Sequence, residues 1–142
     1  MSWFRRQRAV RPPPGPPQDP GWARTEKGGF HRLEDLDPED LGLMGQGGVF
    51  IIWHGGVRPA FVYAGAATDL ARALHRVGDD DRVMGFSVNG GLFVTWAPVV
   101  PKYRPGAAKF LQRTLKPEVP NTAAATDDVP EIPLLLPARE KG

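Results

Sequence analysis

The stretch Gly48–Gly65, GVFIIWHGGVRPAFVYAG, decides how the rest of the chain is read. Its two apolar runs, Val49–Trp53 and Ala60–Tyr63, are rich in β-branched and aromatic residues, the types that suit a pleated, half-buried surface. Between them, His54-Gly55-Gly56-Val57-Arg58-Pro59 supplies the glycines and proline that turns need. The pattern predicts a β-hairpin, with Gly65 handing the chain on to a helix.

Downstream, Thr68 is placed to cap a helix whose apolar stripe is Leu70, Leu74 and Val77. Gly78 and the run Asp79–Asp81 end it. Without a spaced ligand set, that acidic run reads as a solvated turn and not a cation site. Further strands are expected between Val83 and Val100, with a turn at Asn89-Gly90-Gly91 and the strongest run at Leu92–Ala97. Pro105 opens a second helix with an apolar face of Ala107, Ala108, Phe110, Leu111 and Leu115, and Pro117 stops it. Ile132–Pro137 is apolar enough to return as an edge strand. The order β-β-α-β-α, with that final edge strand, predicts an α+β fold: a small mixed or antiparallel sheet opened by a β-hairpin, with two packed helices.

Working outward, residues 46–117 form the predicted domain. Residues 1–29 read as a disordered, proline-rich basic arm carrying Trp3, Phe4 and Arg5, and residues 30–45 as an acidic linker or short helix started by Asp37-Pro38. Residues 118–142 are a proline-rich tail. The domain holds nine basic residues against four acidic ones, which suits a polyanion or an acidic partner. The chain has no cysteine, so it forms no disulfide or thiolate metal site. No run reaches membrane-spanning length, and the first residues lack an apolar secretory core, so a soluble cytoplasmic protein is expected. His31, His54 and His75 lack metal-ligand spacing, and Gly45-Gln46-Gly47-Gly48 lacks the Lys-Ser/Thr pair of a phosphate loop. His54 reads as an exposed turn residue, and Trp53 and Trp96 as strand aromatics, with base stacking as the alternative.

Gly48-Val49-Phe50, followed after a turn by Val62-Tyr63-Ala64-Gly65 and then helix, strand and helix, resembles the GIY-YIG nuclease domain over residues 47–117. Active members of that family use the tyrosines of both motifs, an arginine on the first helix, a metal-binding glutamate on the second and often a late asparagine. The resemblance places Phe50 and Tyr63 at the tyrosine positions, Ala73 at the arginine, Ala108 at the glutamate and Leu135 at the asparagine. Arg72 adjoins Ala73 but points about 100° round the helix. A site of Phe, Ala, Ala and Leu holds no carboxylate for Mg²⁺, so the resemblance implies a non-catalytic relative with no metal and no cofactor. Three functions follow as expectations. The first is an interaction scaffold that recruits a protein partner. The second is nucleic-acid binding without cleavage through Arg58, Arg72, Arg76, Lys102, Arg104, Lys109 and Arg113. The third is a nuclease in which Arg72 and one of Asp79–Asp81 replace the lost groups.

Overall fold

A computed structural model describes residues 17–56, 58–124 and 128–137. The Trp3, Phe4 and Arg5 cluster lies outside them. The described chain is α+β, with one four-stranded antiparallel sheet between two helical layers. Its strands are β1 (His31–Arg32), β2 (Gly48–His54), β3 (Ala60–Ala67) and β4 (Leu92–Pro98), in the spatial order β1-β4-β2-β3. Its helices are α1 (Leu70–Gly78), the single turn α2 (Asp81–Met84) and α3 (Arg104–Leu115).

β2 is central, and all seven of its residues are buried. Its alternation sends Phe50 and Ile52 to one face and Val49, Ile51 and Trp53 to the other. On the first face, Leu70, Ala71, Leu74 and Val77 of α1 and Val83 of α2 pack against Phe50, Ile52, Val62, Val94 and Trp96. On the second, Ala107, Leu111 and Leu115 of α3 pack against Val49, Ile51, Ala64 and Ala97. A strand covered on both sides must be apolar at every position, which is why Val49–Trp53 reads as an unbroken run.

The hairpin contains an irregularity that the sequence does not announce. Ile52 pairs with Tyr63 but Trp53 pairs with Phe61, so Val62 is an extra residue in β3. This bulge puts Val62 and Tyr63 on the same face, where regular alternation would part them. β3 also continues past Gly65 to Ala67 before the chain turns into α1.

Several local expectations are corrected. Asp69, not Thr68, caps α1: its Oδ1 accepts from the Arg72 N–H at 3.2 Å. Of the span Val83–Val100, where further strands are expected, the part before Asn89 is the end of α2 and a 3-10 turn, because Asp80 accepts from the Arg82 N–H and starts a helix there. Asp37 begins only a turn, and the 30–45 segment instead supplies β1, which pairs His31 with Val94. Residues 17–29, expected within the disordered arm, are fastened down. The Ala23 N–H donates to Trp96 O at 2.8 Å, and the Thr95 hydroxyl to Ala23 O at 2.7 Å. Ile132–Pro137 forms no strand of the main sheet. It makes one isolated parallel bridge, Leu134 to Gln18, reinforced by the Trp22 indole N–H donating to Leu135 O at 2.7 Å.

The outer edge of β3 is sealed by the chain that leaves α3. Lys116, in the left-handed region at φ 49°, ends the helix. The Glu118 and Val119 N–H groups then donate to Phe61 O and Val62 O, and Gln112 Nε2 and Asn121 Nδ2 both donate to Ala64 O. These bonds occupy acceptors that an open edge would offer to another chain.

The tightest approach in the sheet is at Gly48, where an added Cβ would collide with the Ala97 carbonyl oxygen of β4. Gly78, at the end of α1, has nothing within 4 Å of such an atom. Gly48→Ala is therefore expected to destabilise by about 1–3 kcal/mol through overpacking, and Gly78→Ala to stabilise by about 0.4–1 kcal/mol by restricting the unfolded chain. Urea midpoints of the two variants check both signs.

Candidate functional site

The regular register of β2 with β3, Phe50 opposite Gly65 and Ile52 opposite Tyr63, brings two of the candidate residues together. Phe50 and Tyr63 lie on the α1 face with ring centroids 6.0 Å apart. Phe50 is only 3 % exposed and is opposed by Trp96 on one side and Gly65 on the other. Tyr63 is half-buried, and burial is the main cause that pushes its hydroxyl pKa up, with the Asp80 charge second. A raised pKa keeps the phenol protonated, the opposite of what a general base needs.

Ala73 is half-buried beside the same cluster, while Arg72 is exposed. Ala108 belongs to α3, on the other side of the sheet, and lines a cleft at the outer end of β3. Leu135 does not join them. Half exposed, it donates its N–H to Gln18 O in the strap that ties the two ends of the described chain. The residue after α3 that reaches the hairpin is Asn121. Besides bonding Ala64 O, it donates its backbone N–H to Gln112 Oε1 at 3.1 Å. A Cβ at Gly65 would strike Asn121 Nδ2 and come within 3.5 Å of the Phe50 ring. Gly65 thus makes room for both. The only sequence signal for Asn121 was an amide soon after the helix-stopping Pro117.

The seven basic candidates do not share a surface. Arg58 is in the hairpin turn, and Arg72 and Arg76 are one turn apart on the exposed side of α1. Lys102, Arg104, Lys109 and Arg113 sit on or just before α3, across the sheet. Several are already engaged. Lys102 stands 5.4 Å from the Tyr103 ring centre, Lys109 Nζ donates to Val129 O at 2.9 Å, and Arg113 pairs with Glu131 at 2.7 Å.

The strand aromatics, His54 and Asp80 are occupied as well. Trp53 is buried between Phe30 and Phe93, and Trp96 is buried beside His31, so neither offers a face to a base. His54, read as an exposed turn residue, is the buried last residue of β2 and stacks on Phe86 at 6.1 Å. Arg82 holds both carboxylate oxygens of Asp80, at 3.1 and 2.8 Å, and this lowers the Asp80 pKa. Among the described residues no three His, Cys, Asp or Glu side chains cluster as a metal site. No described helix is long and apolar enough to cross a membrane.

Comparison with protein-family models, with curated proteins and with solved structures finds no match to this chain.

His75, on the exposed side of α1, is tied to Glu39 at 2.7 Å, which links the 37–44 loop to the helix. The hydrogen bond to Glu39 is the main cause that raises the His75 pKa, and the same bond lowers that of Glu39. The His75 contribution to stability is complete below its ordinary pKa and is lost as pH rises through the raised one. The Glu39 contribution is complete above its ordinary pKa and is lost as pH falls through the lowered one. The pair therefore acts fully between the two ordinary values, roughly pH 4.3 to 6.5. In Glu39→Gln the His75 midpoint, followed by NMR, is expected to fall. An unchanged midpoint means that the contact does not persist in solution.

Proposed function

We propose that this chain is a non-catalytic interaction module built on a nuclease-like α+β scaffold. The observation that carries this reading is the packing of Phe50. The position where the family resemblance asks for a hydroxyl holds a buried ring wedged among Trp96, Gly65 and Tyr63. Ala73 and Ala108 continue the same theme, with methyl groups where a cation and a metal ligand are asked for. Burying apolar groups there removes the cost of unpaired polar ones and leaves no means of activating water or holding a metal. The fold without the chemistry is a rigid platform. Met44 and Val88, 66 % and 84 % exposed, are apolar contact points that such a platform offers to a protein partner.

A second reading, nucleic-acid binding without cleavage, is favoured by Arg72 and Arg76, which share one exposed helix face and form no ion pair among the described residues. Relocation of the nuclease site to Arg72 and Asp79–Asp81 fits less well, because Asp80 is spent on Arg82 and on the cap of α2.

Incubation with duplex, branched and single-stranded DNA in Mg²⁺ or Mn²⁺ is expected to leave all three intact, and affinity capture from the native host to yield a protein partner. Metal-dependent cutting that disappears in Tyr63→Phe would overturn the proposal. Salt-sensitive DNA binding lost in Arg72→Glu/Arg76→Glu would replace it with the second reading, since phosphate contacts release counterions.

A further inference from the structure

The cleft at the outer end of β3 has a chemistry that the scaffold does not need. It measures about 340 Å³, and its walls include Ala66, Ala67, Thr68, Arg104, Ala108 and Asn121. That volume is at the small end of the range for small-molecule sites, about 300–1,000 Å³. Among the described residues no acidic side chain lines it, and Arg104 is the only charged one that does.

Arg104 is held in place. Its Nε donates to Val99 O at 2.7 Å, and its guanidinium lies against the backbone of Gly47, so closely that a Cβ there would collide with it. Gly47, in the glycine-rich run before β2, thus serves to seat this side chain. Nη1 and Nη2 make no hydrogen bond or ion pair among the described residues, whereas Lys109 and Arg113 on the same helix are each engaged. Among the described residues, this half-buried, immobilised guanidinium beside apolar walls has no counter-charge.

We infer that this cleft binds a small organic carboxylate, with the carboxylate on Nη1 and Nη2 of Arg104 and a short apolar body along Ala66 and Ala108. A planar guanidinium matches a planar carboxylate through two parallel hydrogen bonds. A phosphate can take the same fork, but the cleft leaves its further oxygens unsatisfied and it has no apolar body for the alanine walls. The inference does not depend on whether the chain recruits a protein partner.

The test is a titration of the ¹⁵N-labelled full chain with hexanoate, hexylamine and inorganic phosphate in parallel, followed by amide shifts. Hexanoate is expected to give saturable shifts centred on Ala66, Thr68, Ala108 and Asn121, hexylamine none there, and phosphate only weaker ones. Arg104→Gln is expected to weaken hexanoate about tenfold. Ala108→Leu, which fills the cleft and keeps Arg104, is expected to abolish binding while the circular dichroism spectrum stays unchanged. The inference fails if hexanoate gives no saturable shift at these residues, if hexylamine or phosphate binds as tightly, or if either folded variant binds as the parent does. Should both variants unfold, the three-ligand comparison on the parent chain still decides.

Discussion

The structure depends on the burial of β2 from both faces. Each of its backbone edges is paired, to β3 on one side and β4 on the other, and its side chains seed the core above and the core below. Fully burying a large apolar side chain contributes about 1.5–3 kcal/mol, and Phe50, Ile51, Ile52 and Trp53 follow one another along this single strand. α1 and α3 never need to touch each other, because both are positioned by the strand between them. The same constraint explains Gly48, where β4 comes too close for any side chain.

Double-sided burial also shapes what the candidate site can do. Phe50 belongs to the packing that defines the fold, so its position has little freedom to host chemistry. Polar function is displaced to the rim, where β3 emerges from between its neighbours and the chain leaving α3 crosses it. Asn121, Gln112 and the Ala64 carbonyl form a closed set of hydrogen bonds there. Arg104, a short way along the same rim, keeps open hydrogen-bonding capacity. A sealed edge and an open cation thus lie side by side on this rim.

How much of this was legible depended on whether the signal was local. The apolar run of β2, the Leu92–Ala97 run of β4 and the helical spacing of Leu70, Leu74 and Val77 are written in consecutive residues, and those elements are present. The bulge is not, because it is a relation between two strands and no residue in Ala60–Tyr63 marks it. The straps at 17–32 and 118–121 are held by backbone bonds to distant strands and by isolated apolar residues such as Trp22 and Val119, too sparse to give a period. His54 looked like part of a turn because two glycines follow it, yet β2 runs one residue further and buries it against Phe86. Of the candidate site, the pairing of Phe50 with Tyr63 could be anticipated from the two motifs. The exchange of Leu135 for Asn121 could not, since it rests on how the chain turns after Lys116.

The strap formed by Gln18 and Leu134 has a mechanical meaning. The two segments run parallel, so the chain preceding Gln18 and the chain following Leu134 depart in opposite directions. Tension applied through those departing segments loads the Leu135–Gln18 and Trp22–Leu135 hydrogen bonds in shear, together, and does not peel them one at a time. Behind that clamp stand the Ala23 and Thr95 contacts on β4 and, on the other segment, the bond from the Ile132 N–H to Gly106 O. The sheet is thereby placed behind a small fastening between the two described ends of the chain.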